Sequence, residues 1–444
     1  MTDPHPGGAL TDTAAGTRPS PGAFAAAVAA AKEAGELVVQ PRMGFADLPR
    51  MREGLLAVQQ SHARTVGTLT IDSYTRVGDN ESAARALAEG TDLNGYPIVA
   101  HGPETTRRLV AGLTDDRFAV QVRHGSADPT GIIRALLAAG LDATEGGPIS
   151  YCLPYSRTPI KSSIQAWARS CELLASRPGT HLESFGGCML GQLCPPGLLV
   201  ALSVLEGIFF RQHGLRSVSL SYAQQTHHGQ DVEALLALRT LAGEHLAGLD
   251  WHIVLYTYMG VFPRTTAGAL DLLRASATLA TQTGTERMIV KTPAEAHRIP
   301  TIQDNIMALE EASAAASAAP PYQGGADPAE FGVLSEARAL VHAVLELHHD
   351  VGQALIEAFR RGLLDVPYCL HADNANRSRS YIDGRGALQW HSTGDMPIPA
   401  LPVTGRERLR ADDLLGMLSH TQESFDRAAL ARNEGTAARN ALSH

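Results

Sequence analysis

The chain has 444 residues, of which 44% are hydrophobic and 19% are charged. This length and composition predict a globular protein with a large core and more than one structural unit. The formal net charge of -9 argues against nucleic-acid binding, because lysines and arginines are scattered and no basic field covers the chain.

The cysteines, the N-terminus and the hydropathy pattern favour a cytoplasmic protein. Five cysteines, irregularly spaced and without a CxxC pair, predict reduced thiols rather than a disulfide framework or a zinc site. The start "MTDPHPGGALTDTAAG" has no basic region followed by an apolar stretch, so we expect no signal peptide. No segment approaches the roughly 18 uninterrupted apolar residues of a membrane span. The motif HExxH is absent, and we expect no metal held by protein side chains.

Short apolar runs alternate with helix-like segments along most of the chain, after a first predicted helix at 23–35. This alternation predicts parallel βα units. About eight such units would close a TIM (β/α)8 barrel of roughly 250 residues, and the nine runs exceed that number by one. An open doubly wound sheet is the competing architecture, but the GxGxxG turn that it usually carries is absent. The runs are 36–40, 67–74, 96–102, 118–122, 141–147, 180–187, 217–222, 251–258 and 288–291.

The composition divides the chain into four expected parts. They are a disordered tail rich in Pro, Gly, Thr and Ala (1–21), a TIM-barrel catalytic domain (22–310), a linker (311–330) and a smaller helical and irregular C-terminal unit (331–444). Within the last unit, residues 333–365 and 411–433 are predicted to be helical, and the stretch between them is predicted to be irregular.

An arginine stands at the end of three of the runs. Arg42 in "VVQPRMG", Arg76 in "IDSYTRVG" and Arg123 in "QVRHG" are each followed by a glycine two residues later. The C-terminal ends of barrel strands point to one mouth, so the three guanidinium groups are expected to converge. Together they would suit a substrate with two carboxylates, or a phosphate. The alternative for any one of them is a salt bridge at the surface or between loops.

Two further stretches carry chemistry. In "TEGGPISYCLPYS", Glu145 ends a strand and could accept the amine of an amino acid or act as a base, and Tyr151 and Tyr155 can donate hydrogen bonds. The alternative is that Glu145 pairs with an arginine and the tyrosines belong to the core. In "VKTPAEAHRIPT", Glu295 could cap the next helix or accept hydrogen bonds from a ligand hydroxyl, and Lys291 could equally be a simple salt-bridge partner.

These motifs, taken in order, resemble the large (epsilon) subunit family of adenosylcobalamin-dependent glutamate mutase, also called methylaspartate mutase. The resemblance implies a TIM barrel and an isomerase that rearranges L-glutamate to (2S,3S)-3-methylaspartate by radical chemistry, with adenosylcobalamin as cofactor. It also implies a small cobalamin-binding (sigma) subunit as partner and a homodimer of this chain within a heterotetramer. The matching stretches, between residues 36 and 305, are "QPRMG", "IDSYTR", "LNGYPIVAHG", "QVRHG", "TEGGPISYCLPY", "CPPG", "YMGVFP" and "VKTPAEAHRIPT".

The resemblance also assigns roles to residues. The arginines would grip the two carboxylates and Glu145 would meet the ammonium group, with Glu145, Arg123 and His124 as the catalytic residues. The substrate-side set is Arg42, Arg76, Arg123, His124, Glu145, Tyr151 and Tyr155. The cofactor-side set is Gly44, Asn94, Pro154, Phe262, Lys291, Glu295 and Ile299. Lys291 and Glu295 would meet the adenosyl ribose, and the missing side chain of Gly44 would let the cofactor approach the mouth.

The sequence departs from the family pattern in the loops expected to face cobalamin. "YTYMGVFP" has Val261 in place of a glycine, "SYAQQTHHGQ" replaces a stretch like "YGxCGN", and the tail after Pro367 is unfamiliar. Two alternatives therefore stay open: the same radical mutase chemistry on another amino acid, and a degenerate homologue that binds a dicarboxylate without catalysis. "DPHPGG" fits the cobalamin-ligating pattern DxHxxG, but it lies in a Pro/Gly tail, so the lower cobalt ligand is expected from the separate subunit.

Overall fold

The computed structural model describes residues 21–189, 193–320, 330–398 and 410–441, and its central element is a parallel eight-stranded sheet rolled into a barrel. The strands are β1 (Val38–Gln40), β2 (Gly67–Thr70), β3 (Val120–Arg123), β4 (Ala143–Gly146), β5 (His181–Ser184), β6 (Ser217–Ala223), β7 (Asp250–Tyr256) and β8 (Arg287–Ile289). Their order is β1-β8-β7-β6-β5-β4-β3-β2, and a parallel bridge between Val39 and Thr65 brings β1 to the start of β2. The expected TIM barrel is confirmed.

Helices cover the outside of the barrel and continue beyond it. They are α1 (Ala23–Glu33), α2 (Leu48–Gln60), α3 (Ser73–Arg76), α4 (Asn80–Ala88), α5 (Ile98–His101), α6 (Pro103–Val110), α7 (Thr130–Ala139), α8 (Ile160–Ala175), α9 (Pro196–Gln212), α10 (His228–His245), α11 (Thr266–Gln282), α12 (Ile302–Ala318), α13 (Val333–Leu345), α14 (Val351–Arg361) and α15 (Ala411–Ala441). A search of the described helices finds none with the length and apolar character needed to cross a membrane.

Polar side chains fill the interior of the barrel. Gln40 of β1 donates to Gln121 of β3 at 2.8 Å, and Gln121 donates to Glu183 of β5 at 3.1 Å. Arg287 of β8 also contacts Glu183. These strands are not neighbours in the sheet, so the contacts cross the interior. Because side chains alternate along a strand, residues next to them, such as the fully buried Leu182, face the surrounding helices.

One of the nine apolar runs is not a strand. The run 96–102 forms a single bridge, between Tyr96 and Ile71, and then enters the short helix α5. Pro97 follows Tyr96 directly and has no N–H to donate to a sheet ladder, so pairing stops there. The prediction of a strand at 96–102 was wrong, and its removal leaves the eight strands of the barrel.

The segments around the expected linker are partly helical. Helix α12 continues to Ala318, so residues 311–318 of the predicted linker are helix. The predicted helices of the C-terminal unit correspond to α13, α14 and α15. The predicted tail, apart from Pro21, and residues 321–329 lie outside the described residues.

A β-hairpin occurs where the sequence predicted an irregular stretch. Strands β9 (Arg379–Ile382) and β10 (Leu388–Ser392) pair antiparallel. The hairpin attaches to the barrel domain at the start of α10, because the side chain of Gln230 donates to the carbonyl of Leu388 at 2.8 Å and accepts from its N–H at 2.9 Å. The C-terminal unit is therefore joined to the start of the helix that follows barrel strand β6.

Helix α1 closes the N-terminal end of the barrel. Phe24 is fully buried, its ring lies 5.3 Å from the ring of His181 in β5, and the guanidinium carbon of Arg287 lies 5.0 Å from the Phe24 centroid. The backbone N–H of Phe24 donates to Oδ2 of Asp142 at 3.2 Å. An aromatic ring therefore seals the polar interior at the end opposite the strand C-termini.

We expect Phe24→Ala to destabilise the protein by roughly 3–5 kcal/mol, because the substitution opens a cavity beneath buried polar groups. Urea unfolding monitored by circular dichroism would measure the change. Glu33→Ala, an exposed substitution in the same helix, is the control and should change stability little. Equal midpoints for the two variants would contradict the sealing role of Phe24.

Candidate active site

A buried ion pair lies at the C-terminal ends of β3 and β4. The Nε of Arg123 donates to Oε2 of Glu145 at 2.7 Å, and the exposed fractions of the two side chains are 6% and 1%. The hydroxyl of Tyr151, in the loop after β4, donates to the other oxygen of Glu145. Burial alone would lower the pKa of Arg123, but the nearby Glu145 carboxylate raises it well above its ordinary value. The guanidinium therefore stays charged in a site with little water.

His124, next to Arg123 in the chain, is buried and neutral. Burial, and then the charge of Arg123, lower its pKa to about 3. Its Nδ1 accepts the N–H of Ser126 at 3.0 Å, so in the neutral ring Nε2 carries the proton. Nε2 is buried and has no hydrogen-bond partner among the described residues. His124 therefore offers a fixed, uncharged donor beside the ion pair.

A second charged cluster lies at the ends of β1 and β8. Nη1 of Arg42 donates to Oε2 of Glu295 at 3.2 Å, and Nζ of Lys291 lies 3.6 Å from the same oxygen. The ammonium of Lys291 also lies 4.4 Å from the ring centroid of Phe262. Burial lowers the pKa of Lys291 to about 8, against the attraction of Glu295. The backbone N–H of Thr292 also donates to Oε1 of Glu295 at 3.4 Å, so Glu295 caps the short helical turn in which it lies.

Arg76 stands apart from both clusters. It ends helix α3, and a Cβ added to Gly125 would lie 3.2 Å from its Cδ, so its side chain passes beside the loop that follows Arg123. It forms no ion pair within the described part of the chain and lines a cavity of about 450 Å³ together with Tyr155. The structure thus brings Arg76 next to the Arg123 loop but not into contact with Glu145.

The other expected cofactor-side residues lie around the mouth. A Cβ on Gly44 would lie 2.2 Å from the carbonyl oxygen of Thr70, so glycine is needed there because the loop after β1 packs closely against the end of β2. Asn94 accepts the N–H of Ser73 at 3.0 Å, and Ile299 is 70% exposed. Pro154 precedes Tyr155 in the loop after β4. Packing within this chain thus requires glycine at position 44, and the sequence did not indicate this reason.

Several functional-looking residues were missed by the sequence reasoning. The hydroxyl of Tyr256, at the end of β7, donates at 2.7 Å to the same Glu145 oxygen that Arg123 contacts, and it also contacts Glu183. Glu183 is paired in turn with Arg287. The available signal was the spacing of His181 and Glu183, which stand two positions apart in "THLESF" with Leu182 between them, so that one face of the strand carries two polar side chains.

Glu206 holds the loop that carries Tyr151. This fully buried carboxylate of α9 accepts the N–H groups of Ile149 and Ser150 at 3.1 and 2.9 Å. It also accepts the hydroxyls of Ser150 and Ser184, at 2.9 and 2.8 Å. These four hydrogen bonds tie the loop after β4 to the end of β5. Burial raises the pKa of Glu206 to about 7, although the hydrogen bonds oppose the shift.

A TIM barrel with charged and hydrogen-bonding side chains at the C-terminal ends of its strands is typical of an enzyme that binds a small polar substrate. The family described as methylaspartate mutase E chain (MutE) matches residues 18–411. The chain belongs to the methylaspartate mutase E chain family.

Similar proteins cover most of the chain. A glutamate mutase epsilon subunit of Haloarcula marismortui is 34% identical over 351 residues, covering 76% of this chain and 72% of that protein. The protein of the same name from Escherichia coli O157:H7 is 32% identical over 398 residues, covering 85% and 81%. That of Desulfitobacterium hafniense is 32% identical over 394 residues, covering 84% and 81%.

We expect Glu206→Gln to flatten the pH dependence of stability. The pKa of about 7 in the folded state lies above the ordinary 4.5, so the folded chain keeps a proton that the unfolded chain releases. As pH rises from about 4.5 to about 7, the free energy of unfolding therefore falls by up to roughly 3 kcal/mol because of this group. Above that window the fall is complete. Glutamine does not titrate and removes this part of the slope.

Urea unfolding across that pH window would measure the effect. The control is Glu89→Gln, which changes an exposed carboxylate at the end of α4 and should leave the slope as it is. Parallel curves of unfolding free energy against pH for wild type and Glu206→Gln would contradict the prediction.

Proposed function

We propose that the chain is the catalytic large subunit of an adenosylcobalamin-dependent glutamate mutase, an isomerase that rearranges L-glutamate to (2S,3S)-3-methylaspartate in the cytoplasm. Family membership and the names of the relatives support a mutase. The observation that carries the substrate proposal is the buried pair of Arg123 and Glu145 at the barrel mouth. A guanidinium suits a carboxylate and a carboxylate suits an ammonium group, which are the two charged groups of an amino acid.

The surrounding groups suit a second carboxylate. Arg42, in the loop after β1, and Arg76, at the end of helix α3 after β2, supply two further guanidinium groups, and Arg76 has no carboxylate partner among the described residues. His124 adds an unpartnered N–H that a substrate oxygen can accept without bringing another charge. Tyr151 and Tyr155 flank the pair, with ring centroids 5.7 Å apart. In this proposal these residues hold a dicarboxylic amino acid still and exclude water while it reacts.

The cofactor-side residues fit the adenosyl end of adenosylcobalamin. The buried ammonium of Lys291 and the carboxylate of Glu295 supply a donor and an acceptor for ribose hydroxyls, and the ring of Phe262 supplies an apolar wall. Gly44, Asn94, Pro154 and Ile299 complete the proposed set. When bound, adenosylcobalamin supplies the radical that removes a hydrogen atom from the substrate. The chain's own part is to bind and orient the two molecules.

The rim of the mouth supports a partner subunit. Five of the eight exposed large apolar side chains in the described residues lie in the segments that directly follow barrel strands, including Val77 and Ile299 at 70% each. Exposed apolar surface around a site is typical of a docking surface. We propose that a small cobalamin-binding (sigma) subunit docks here, and that two copies of this chain pair within a heterotetramer. The remaining three rim residues are Tyr74, Tyr155 and Val261.

The decisive experiment mixes the purified chain with a cognate small subunit, adenosylcobalamin and L-glutamate, and follows 3-methylaspartate by NMR. We expect product only when all four components are present. Cobalamin binding without product would point to the same chemistry on another amino acid. This is the second candidate function, because the exposed Val261 at the rim departs from the family pattern. Absence of cobalamin binding would favour a dicarboxylate-binding protein without mutase activity.

We expect Arg123→Lys to lower kcat/KM for L-glutamate by about 100-fold or more, because a point charge does not reproduce the fixed geometry of a guanidinium. Steady-state kinetics of the reconstituted enzyme would measure the change. Arg108→Lys, in an exposed position of α6, is the matched control. A rate and an affinity equal to wild type in Arg123→Lys would remove Arg123 from the proposed clamp.

A further inference from the structure

Two buried carboxylates share one tyrosine inside the barrel mouth. Glu145 of β4 and Glu183 of β5 are register partners in the sheet, and both side chains are buried. The hydroxyl of Tyr256, from β7, lies between them, 2.7 Å from Oε2 of Glu145 and in contact with Oε1 of Glu183. Each carboxylate also has its own arginine, Arg123 for Glu145 and Arg287 for Glu183.

The hydroxyl of Tyr256 cannot donate to both carboxylates at once. A neutral tyrosine has one proton, and an ionised carboxylate only accepts hydrogen bonds. Burial raises the pKa of Tyr256 well above its ordinary value, and the nearby Glu145 and Glu183 add to the shift against the effect of Arg123. Tyr256 therefore keeps its proton and must favour one carboxylate over the other.

Glu145 keeps other hydrogen-bond partners when the hydroxyl of Tyr256 turns toward Glu183. Oε2 of Glu145 keeps Arg123 at 2.7 Å when the hydroxyl turns away, and Oε1 keeps Tyr151. The phenolic oxygen, once it donates to Glu183, can accept from Nη2 of Arg123, which lies 3.5 Å away. A turn of the hydroxyl toward Glu183 therefore leaves every group of this cluster with a partner.

We propose that Tyr256 is a positioning residue whose hydroxyl switches from Glu145 to Glu183 when a substrate ammonium group reaches Glu145. The inference rests on the proposed function, in which Glu145 meets the ammonium of the amino acid. In the free site the hydroxyl lies within hydrogen-bond distance of both carboxylates, and whenever it donates to Glu145 it partly neutralises that carboxylate. In the complex it donates to Glu183, and the charge of Glu145 is directed to the ammonium. Glu183, which touches no substrate in this proposal, sets how readily Glu145 is released.

Substitutions of Tyr256 and Glu183 should have opposite effects on ligand preference. Tyr256→Phe removes the hydroxyl that competes for Glu145, so the preference for a diacid with an ammonium group should rise. Glu183→Gln offers the tyrosine oxygen an amide N–H and leaves the tyrosine proton to Glu145, so that preference should fall. The change expected in each direction is about fivefold, the effect of one hydrogen bond.

The test compares L-glutamate with glutarate, the diacid that lacks the ammonium group. Both dissociation constants are measured by calorimetry on the complex of this chain with its small subunit, without adenosylcobalamin, so that L-glutamate is bound but not converted. The readout is the dissociation constant for glutarate divided by that for L-glutamate, and this ratio rises with the preference for the ammonium group. The matched control is Tyr222→Phe, which removes a buried hydroxyl that donates to another carboxylate, Asp231, at 2.7 Å. General loosening of the barrel would weaken both ligands alike and leave the ratio unchanged.

The outcomes separate the inference from the proposed function. Ratios that rise in Tyr256→Phe and fall in Glu183→Gln, with Tyr222→Phe like wild type, support the switch. Wild-type binding of L-glutamate with an unchanged ratio in Tyr256→Phe overturns the switch and leaves the proposed function standing. Wild type that binds neither diacid overturns both. If Glu183→Gln does not fold, the ratio in Tyr256→Phe decides alone.

Discussion

The buried ion pair between Arg123 and Glu145 is the interaction on which the site depends. Removing opposite charges from water is costly, and the cost is offset only when both are paired and further hydrogen-bonded. The two residues meet this condition through Tyr151 and Tyr256, which add hydroxyl contacts to the pair. The result is a site whose charges are fixed in place before any ligand arrives, and loss of either partner would leave the other charge buried and unmatched.

The same constraint extends down the barrel. Arg287 and Glu183 form a second buried pair beneath the first, and Gln40 and Gln121 link that pair to β1 and β3. A barrel interior built from polar groups is held by hydrogen bonds across the strands rather than by apolar layers. This explains why helix α1 seals the lower end, since open access of water there would compete with those hydrogen bonds.

Two carboxylates, Glu206 and Glu295, hold the residues of the barrel mouth in place. Buried Glu206 fixes the loop that carries Tyr151, so the contacts of Glu145 do not depend on a free loop. Glu295 contacts both Arg42, on the proposed substrate side, and Lys291, on the proposed cofactor side. One carboxylate therefore joins the two proposed halves of the site, and a ligand that draws Arg42 away leaves Lys291 as the cation nearest to Glu295.

The sequence by itself indicated the βα units of the barrel and the end of the barrel at which charged side chains gather. Alternating runs and helices predicted parallel βα units, and arginines at the ends of three apolar runs predicted a charged mouth, because local pattern and chain order suffice for both. The pairing partners were decided only by the tertiary structure. Arg123 pairs with Glu145 while Arg42 pairs with Glu295, 253 residues away in the chain. Tyr256 and Glu183 look like ordinary strand residues until the barrel closes and brings β4, β5 and β7 around one point, since distances across a barrel are set by closure and not by sequence spacing.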